Sequence, residues 1–422
     1  MTNSQTPSVR PDFLTDAEWL REDGVQRVFK AIADQGGEAR VVGGAVRNHL
    51  LGEPVAEVDF ATDLLPDEVM AAAKAAGLRA VPTGYEHGTV TLVHAHKGYE
   101  VTTLRRDVET FGRRARVSYT RDWTEDAARR DITMNALYCD ASGRLSDPMG
   151  GYEDLMAGRV RFIGDAGERI REDYLRTLRF FRFFAHYAKT EIDPAGLEAC
   201  IAERRGLRKL SAERIFHELM RLLTAPRAVE AARLMSENAI FTGADLGRAR
   251  PEMLARLAQI EQALDAAPDP VLRLWALLGG GSAPEARAES LAGRLRVSSQ
   301  VRGRLQMMAA ERQVSPALAQ TERRAVLYAL GPQVYREQVL LNWAGGSADA
   351  GDMDWKILFD LAEQWSLPDF PVKGADVVAA GVPAGPQVGK VLKSLELWWI
   401  AAGFPEDRAE IHAQLHRLAK AQ

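Results

Sequence analysis

The sequence is poor in cysteine. Only Cys139 and Cys200 occur among its 422 residues, and neither belongs to a CxxC pair or stands close to a histidine. This argues against a disulfide scaffold and against the usual structural zinc site. Scarce, scattered cysteine is typical of a reducing compartment, and we therefore predict a cytoplasmic location.

Long apolar runs are also missing. No stretch approaches the roughly 18 apolar residues that span a bilayer, so we expect no membrane partner. The first residues, MTNSQTPSVRPDF, are polar and lack the apolar core of a signal peptide, and we expect them to form a frayed tail. With 46% hydrophobic and 27% charged residues, the chain is typical of a globular protein with sizeable cores.

The chain has no overall positive charge. Its formal net charge is −4, which excludes a basic coat for nucleic acid, so an RNA partner would have to bind a locally basic face. No His-Asp dipeptide occurs, which argues against a fused phosphohydrolase domain of the HD type. No sequence feature implies a protein partner.

The pattern of apolar residues changes along the chain. β-rich runs near residues 40–43, 88–93 and 99–104 alternate with helical stretches such as 66–76. From residue 166 to about 345 the period of three to four residues predicts one helix after another. The breakers GGGS at 279–282 and AGGS at 344–347 predict links between helices, and a turn-rich segment followed by an amphipathic helix closes the chain.

The first motif with chemical content is GGAVRN at residues 43–48, directly after the apolar strand 39–42. Two glycines that open a helix expose backbone N–H groups, and the helix N-terminus favours an anion. Arg47 in the first turn could hold a phosphate. Taken alone, a plain strand–helix turn explains the motif equally well.

The second motif is EVDFAT at residues 57–62. If this segment is a strand, Glu57 and Asp59 share one face and could hold divalent metal ions between them. Two-metal phosphoryl transfer uses such ions to activate the attacking oxygen and to stabilise the leaving group. Alone, a solvent-facing acidic pair is the better interpretation, since short acidic patterns are common.

Six further segments follow in a fixed order. They are GYEHGTVT at 84–91, EVTTLR at 100–105, RRDITMNAL at 129–137, DPMGGYEDL at 147–155, EDYLR at 172–176 and LSAERI at 210–215. Together with the first two motifs they resemble the class II nucleotidyltransferases, the family of bacterial and eukaryotic CCA-adding enzymes and bacterial poly(A) polymerases. Eight motifs in family order over residues 43–215 make the resemblance specific.

The resemblance implies an α+β fold, with an N-terminal mixed-sheet nucleotidyltransferase head followed by an all-α neck, body and tail. The expected boundaries are an N-terminal tail at 1–22, the head at 23–165, the neck with nucleobase-recognition helices at 166–225, the helical body at 226–347 and a helical, tRNA-binding tail at 348–422. It also implies transfer of CMP and AMP from CTP and ATP to a tRNA whose CCA end is absent or incomplete, with Mg²⁺ as the cofactor.

The resemblance further implies roles for individual residues. Asp59 would be a catalytic metal ligand, with Glu57 where the family usually has aspartate, and Glu100 would be a third acidic group or a structural partner for an arginine. The residues expected to bind nucleotide are Gly43, Gly44, Arg47, Arg130, Asp131, Asn135, Asp173, Arg176 and Arg179. Among these, Arg130 and Asn135 would contact triphosphate, and Asp131 the ribose 2′-OH.

Asp173 and Arg176 also support base selection without the family. The helical pattern over 170–187 predicts that both lie on one helix face. A carboxylate only accepts hydrogen bonds and a guanidinium only donates them, which matches the amine and ring nitrogen of cytosine and adenine and mismatches guanine and uracil. An ordinary salt bridge between the two is the alternative.

Other interpretations remain open on the sequence. The polar segment 107–126 is similar to the family's flexible loop, which is thought to act in the switch from C to A addition, and it could also be a plain solvated connection. A poly(A) polymerase and enzymes that add only CC or only A share the head. A non-catalytic tRNA-binding protein, with Glu57 as a sign of decay, is the alternative from another class.

Overall fold

The computed structural model describes residues 11–14, 16–111, 114–310 and 312–421. It divides into two compact units, 1–248 and 249–422. The first unit contains the mixed sheet and a set of helices, and the second contains helices throughout its described residues. This confirms the predicted α+β class, with a mixed-sheet head and a helical remainder.

The head is built on one twisted sheet of seven strands, in the order β3-β4-β5-β2-β1-β8-β9. Strands β2 and β5 are parallel, and the other neighbours are antiparallel. The strands are β1 Ala39–Val42, β2 Phe60–Thr62, β3 Arg79–Gly84, β4 Thr89–His94, β5 Lys97–Thr103, β6 Arg105–Phe111, β7 Arg114–Tyr119, β8 Tyr138–Cys139 and β9 Leu145–Ser146. Strands β6 and β7 form a separate hairpin.

Helices make up much of the remainder of the first unit. They are α1 Asp23–Asp34, α2 Gly44–Leu51, α3 Pro66–Ala75, α4 Trp123–Ala128, α5 Gly151–Ala157, α6 Ala166–Glu172, α7 Leu175–Tyr187, α8 Pro194–Glu203, α9 Ala212–Leu223, α10 Ala228–Glu237 and α11 Ile240–Gly243. Short 3₁₀ helices occupy Glu18–Arg21, Tyr85–His87, Thr133–Asn135 and Arg204–Lys209.

The second unit is helical. Its helices are α12 Pro251–Ala263, α13 Pro270–Leu278, α14 Pro284–Leu295, α15 Ser299–Ala309, α16 Gln320–Leu330, α17 Pro332–Gly345, α18 Met353–Gln364, α19 Gly374–Ala379, α20 Pro386–Ala401 and α21 Arg408–Lys420. The two glycine-rich breakers fall where α13 and α17 end, which confirms them as links between helices. Trp399 is buried in a hydrophobic core to which α19, α20 and α21 contribute.

The prediction of a single helix over 170–187 was wrong. Helix α6 ends at Glu172 and α7 begins at Leu175, because Asp173 is extended (φ −149°, ψ 105°). Its carboxylate accepts a hydrogen bond from the backbone N–H of Leu175 at 3.1 Å. An aspartate that bonds the following backbone in this way favours a helix start over a helix interior. Asp173 and Arg176 therefore do not share one helix face.

The acidic motif was also placed wrongly within a strand. Strand β2 begins at Phe60, so Glu57 and Asp59 precede it. The alternation of exposure nevertheless continues, since Val58 is buried between the exposed Glu57 and Asp59. The period of two residues that carried the prediction is present, although regular strand pairing starts one residue later.

The segment 107–126 is not a plain loop. The backbone of this segment forms the hairpin β6–β7, and helix α4 follows with Asp122 as its N-cap. Gly112 and Arg113 lie outside the described residues. Asp107 and Glu109 alternate with Val108 and Thr110 in the sequence, a strand pattern that the high polarity of the segment obscured.

The predicted N-terminal tail is part of the folded head from residue 12 onward. Leu14 donates a backbone hydrogen bond to Gly143 at 2.8 Å, and Leu145 donates one to Asp12 at 2.9 Å. Trp19 and Leu20 are buried. Residues 1–10 of that tail lie outside the described residues.

The scarce cysteines and the short apolar runs of the sequence have counterparts in the structure. Cys139 and Cys200 are both buried, each as a free thiol. Of the helices that the structure describes, none is long and apolar enough to cross a membrane.

The glycine pair at 150–151 generates a stability prediction. A Cβ on Gly151 would lie 2.2 Å from the backbone oxygen of Thr133, whereas a Cβ on Gly150 (φ +67°) would meet nothing within 4 Å. We expect Gly151→Ala to lower the free energy of unfolding by about 3 kcal/mol, because rigid backbone blocks the methyl group. Gly150→Ala should cost only about 1 kcal/mol, the left-handed penalty. Thermal unfolding of both variants measures the difference, and equal losses would contradict it.

Candidate active site

One cavity of about 710 Å³ in the first unit gathers every residue singled out from the sequence. Its lining includes Gly43, Gly44, Arg47, Glu57, Asp59, Glu100, Arg130, Asp131, Asn135, Asp173, Arg176 and Arg179. Gly44 and Arg47 belong to α2, Glu100 to β5, Asn135 to the 3₁₀ helix Thr133–Asn135, and Arg176 and Arg179 to α7. The others lie just after β1, before β2, after α4 and before α7. The fold thus assembles residues that lie up to 136 positions apart, between Gly43 and Arg179, around one space.

The glycine turn forms the floor of this cavity. Gly43 has φ +75° and ψ −114°, a conformation that favours glycine, and its N–H donates to Leu137 at 3.1 Å. Helix α2 begins at the next residue, and Gly43, Gly44 and Ala45 all line the cavity, so the start of the helix lies at the cavity surface. The backbone of Asp59 lies alongside, because its carbonyl accepts from the N–H of Val42 at 2.9 Å.

Three carboxylates come together beside this turn. In the parallel pairing of β2 with β5, Phe60 is opposite Val101, which places Asp59 next to Glu100. The surrounding protein desolvates Asp59, and Glu100 and Glu57 repel its negative charge, so that the pKa of its carboxyl rises to about 6. A divalent cation would relieve this repulsion.

The donor set suits a hard cation with an incomplete protein shell. Within the described residues, no group of three or more His, Cys, Asp or Glu side chains is arranged to hold a metal ion by itself. Mg²⁺ commonly binds through one or two carboxylates together with substrate phosphates and water. Glu57 and Asp59 fit that pattern, and Glu100 contributes negative charge at a neighbouring position.

A buried aspartate that the sequence reasoning missed organises the two arginines of the RRD motif. Asp126 accepts hydrogen bonds from Arg129 at 2.6 Å, from Arg130 at 2.9 Å and from the Tyr138 hydroxyl at 2.9 Å. Burial opposes its ionisation, but Arg130 and Arg129 outweigh burial and lower the pKa of Asp126 to about 2. An acidic residue three positions before RRD was the available signal.

The RRD motif is joined to α2 and α7 by a continuous hydrogen-bond chain. Asp131 accepts from Arg179 at 2.6 Å and from the Asn135 amide at 3.1 Å. Asn135 in turn accepts from Arg47 at 2.5 Å, and Arg47 donates to the Tyr187 hydroxyl at 2.9 Å. Arg47 is buried, so it is held by protein partners more than the sequence suggested.

Asp173 and Arg176 are held by partners other than each other. Arg214 on α9 donates two hydrogen bonds to the Asp173 carboxylate, at 3.1 and 2.6 Å. Arg176 donates to Glu172 at 2.5 Å and to the backbone carbonyl of Arg129 at 2.9 Å. Arg214 was missed as a site residue, although it lies in the LSAERI motif. The salt bridge between Asp173 and Arg176 is not among the described contacts.

The cavity carries more positive than negative charge. Eight arginines line it, against the five carboxylates Glu57, Asp59, Glu100, Asp131 and Asp173. The arginines that the sequence reasoning did not single out are Arg105, Arg129, Arg182 and Arg221. Arg182 follows Arg179 by three positions on α7, a helical spacing that could have identified it. An acidic pole and a basic wall in one space suit a metal-bound polyphosphate.

Comparison with known families gives two matches along the first unit. Residues 39–161 match the family described as the Poly A polymerase head domain. Residues 190–243 match the family described as the probable RNA and SrmB-binding site of polymerase A. The first match covers the sheet and the RRD motif, and the second covers α8 to α11.

Solved structures resemble the whole chain. The crystal structure of the Bacillus stearothermophilus CCA-adding enzyme in complex with CTP has a TM-score of 0.72 and 28% identity, and the match covers 95% of this chain and 98% of that one. The Thermotoga maritima CCA-adding enzyme complexed with tRNA has a TM-score of 0.69 at 20% identity, over 98% and 100% of the two chains, a likeness of fold.

Curated relatives cover the same length. The mitochondrial CCA tRNA nucleotidyltransferase 1 of Danio rerio is 33% identical, over 94% of this chain and 91% of its own. The CCA-adding enzyme of Levilactobacillus brevis is 31% identical, over 92% and 95%. Likeness over nearly the full length of both chains, together with a cavity that contains the family's motifs, shows that this chain belongs to the family of CCA-adding tRNA nucleotidyltransferases.

Proposed function

We propose that the protein adds CMP and AMP, from CTP and ATP, to the 3′ end of tRNA without a nucleic-acid template. The observation that carries the proposal is the set of residues that line one cavity of the first unit. It brings together an acidic pole, a glycine turn with arginines, and an acceptor–donor pair in Asp173 and Arg176. Family membership supports the same reaction, since the relatives are named for CCA addition.

The acidic pole is the proposed metal site, with Mg²⁺ as the cofactor. Glu57 and Asp59 would hold the cation, and Glu100 would add negative charge beside Asp59. The bound metal supplies activation of the tRNA 3′-oxygen and stabilisation of the pyrophosphate that leaves the α-phosphorus. Glutamate in place of the family's aspartate keeps the charge and lengthens the arm by one methylene.

The glycine turn and the basic residues of the cavity form the proposed site for the triphosphate and the ribose. Gly43 shapes the turn, Gly44 offers a backbone N–H group at the start of α2, and Arg47, Arg130 and Arg179 neutralise phosphate charge. Asn135 lies between Arg47 and Asp131, close enough to bond both, so it sets their positions as well as facing the nucleotide. Asp131 keeps acceptor capacity for a ribose hydroxyl, which favours NTPs over dNTPs.

Base choice is assigned to Asp173 and Arg176. Arg214 and Glu172 hold the two groups apart, so neither satisfies the other. Asp173 can accept from the exocyclic amine of cytosine or adenine, and Arg176 can donate to the ring nitrogen beside it. Guanine and uracil present the reverse order, and buried polar groups would then remain unpaired.

The proposed division of labour along the chain follows the expected boundaries. The head at 23–165 performs transfer, the neck at 166–225 reads the base, and the body at 226–347 and tail at 348–422 bind tRNA. The second family match, over 190–243, supports RNA binding near the neck. We further propose a cytoplasmic location on the two free thiols, although the Danio rerio relative is named as mitochondrial.

One experiment separates the candidate functions. Purified protein is incubated with tRNA that lacks CCA and with labelled CTP, ATP or both, and the products are sized. Addition of three nucleotides supports full CCA addition, whereas a long A tail would identify a poly(A) polymerase. Only CC or only A would identify a partial enzyme, and tRNA binding without incorporation would identify a non-catalytic binding protein.

The metal ligands can be tested by substitution. Asp59→Asn should abolish nearly all transfer, because a neutral amide cannot replace a bridging carboxylate. Glu57→Asp should remain active, whereas Glu57→Ala should lose most activity. Incorporation of labelled CTP measures all three variants. Wild-type activity in Asp59→Asn would contradict the metal site, and wild-type activity in Glu57→Ala would remove Glu57 from it.

The raised pKa of Asp59, about 6, predicts a pH-dependent affinity for the metal. A proton competes with the cation below this pKa, so the apparent Kd for Mn²⁺ should rise by about tenfold per pH unit below pH 6 and level off above pH 7. Calorimetric titration between pH 5 and pH 8 measures it. Asp59→Asn should remove the slope. A Kd that does not change across this range would contradict the assignment.

Base selection gives a sharper prediction. Asp173→Ala removes the acceptor for the amine, and Arg176→Ala removes the donor to the ring nitrogen. Either variant should lose selectivity for C and A over U and G, by up to the roughly 10⁴–10⁵ that a polar site can achieve. Incorporation of each of the four NTPs in turn measures it. Variants that are slower but equally selective would show that the base is read elsewhere.

A further inference from the structure

Helix α9 carries a buried carboxylate that faces the arginines of α7. Glu218 is only 4% exposed and does not line the cavity. Its Oε2 accepts from the Nε of Arg182 at 2.6 Å, and its Oε1 lies 3.8 Å from Nη1 of Arg179. Helices α7 and α9 pack against each other, so the carboxylate reaches both guanidinium groups from behind the cavity wall.

The arginines in question are crowded. The guanidinium carbons of Arg182, Arg179 and Arg47 lie 4.3, 5.3 and 5.4 Å from the centre of the Phe183 ring. Burial and the neighbouring Arg179 lower the pKa of Arg182. Like charges this close repel each other, and the ring provides only a modest cation–π attraction. Another interaction must hold the group together before a nucleotide arrives.

The three arginines differ in the protein partners that hold them. Arg179 has Asp131 at 2.6 Å, and Arg47 is held by Asn135 and Tyr187. Among the contacts described for this part of the chain, Arg182 forms an ion pair with Glu218 alone. Arg182 lines the cavity. If it lost Glu218, its guanidinium group would be free to turn toward solvent, because arginine has many rotamers.

We propose that Glu218 is a positioning residue for nucleotide binding, which holds Arg182 and Arg179 in the arrangement that receives the triphosphate. Glu218 acts through the two arginines and does not touch the nucleotide. The proposal rests on the proposed nucleotidyl transfer and adds a residue to it. It assigns the buried face of the neck helix α9 to the phosphate end of the substrate, whereas Arg214 of the same helix serves the base end through Asp173.

Removing the negative charge of Glu218 has two opposing effects on the affinity for a polyphosphate. Loss of a negative charge near the cavity would attract a polyphosphate more strongly through space. Loss of the anchor would require each binding event to order Arg182 again, and would leave Arg179 and Arg182 to repel each other. The second effect should win, because solvent and salt in an open cavity screen the long-range gain, whereas the lost contact is direct and desolvated.

The test uses tripolyphosphate, which has the charge of the substrate but no base or sugar. We expect Glu218→Gln to raise the Ki of tripolyphosphate as an inhibitor of CTP incorporation on the order of tenfold. The KM values for CTP and ATP should rise by a similar factor. The loss of a hydrogen-bond partner behind a metal ligand has an effect of this size. The preference for C and A over U and G should not change. Glu218→Asp, which keeps the charge, should restore part of the affinity.

Two controls separate positioning from stability. Glu261 on α12 is a matched buried glutamate, paired with Arg273 at 2.7 Å and absent from the cavity lining. Glu261→Gln should lower the melting temperature and leave the Ki at the wild-type value. In an Arg182→Gln background, Glu218→Gln should add little further loss, because the shared partner is already gone.

The outcomes are distinct. An unchanged or lower Ki in Glu218→Gln would overturn the proposal, and so would a change in base preference. If Glu218→Gln does not fold, Glu218→Asp replaces it, with a raised Ki in support and an unchanged Ki against. Calorimetric binding of tripolyphosphate to wild type and variants keeps the test independent of transfer: a wild-type protein that fails to incorporate CTP contradicts the proposed function, and equal binding by both proteins contradicts Glu218 alone.

Discussion

The structure depends on holding several guanidinium groups around one space while no substrate neutralises them. Each arginine at the base of the cavity has a buried acidic or polar partner behind it: Asp126 behind Arg129 and Arg130, Asp131 behind Arg179, Glu218 behind Arg182 and Asn135 behind Arg47. These partners lie on different elements, so the same bonds that set the arginines also fasten the RRD turn, α2, α7 and α9 to one another. Stability and ligand binding thus share one network, and few of its members could change independently.

The acidic pole is built on the opposite principle. Glu57, Asp59 and Glu100 are near one another without an arginine that neutralises them fully, and burial together with repulsion from Glu100 and Glu57 raises the pKa of Asp59. Such an arrangement is unfavourable in the free protein and becomes favourable when a cation binds. The parallel pairing of β2 with β5 fixes the positions of two of these carboxylates. Its register keeps Asp59 next to Glu100 independently of the surrounding loops. The sheet therefore maintains a repulsion that the proposed metal ion would relieve.

The sequence predicted most of this site because motifs and periodicity are local signals. The glycine turn after β1, the RRD turn and the helical neck all follow from short patterns, and each of them contributes residues to the cavity lining. Long-range pairing has no such signal. Nothing near Asp173 indicated that Arg214, 41 positions later, would hold it, and Glu218 is an ordinary glutamate on an amphipathic helix until α7 packs against it. The break between α6 and α7 was missed for a related reason: helical periodicity continues across it, and only the hydrogen bond from Leu175 to the Asp173 side chain reveals the new start.

That break matters for the base reading that we propose. Had α6 and α7 formed one helix, Asp173 and Arg176 would be neighbours on its face and would satisfy each other, as an i,i+3 pair does. The extended backbone at Asp173 turns its carboxylate to Arg214, while Arg176 turns to Glu172 and to the carbonyl of Arg129. Each group is then fixed by a partner that uses only part of its hydrogen-bonding capacity, since a carboxylate can accept about four bonds and a guanidinium can donate five. The remaining capacity faces the cavity. An acceptor and a donor that are held rigidly, and that are not paired with each other, are what a protein needs to read the edge of a base without a template strand.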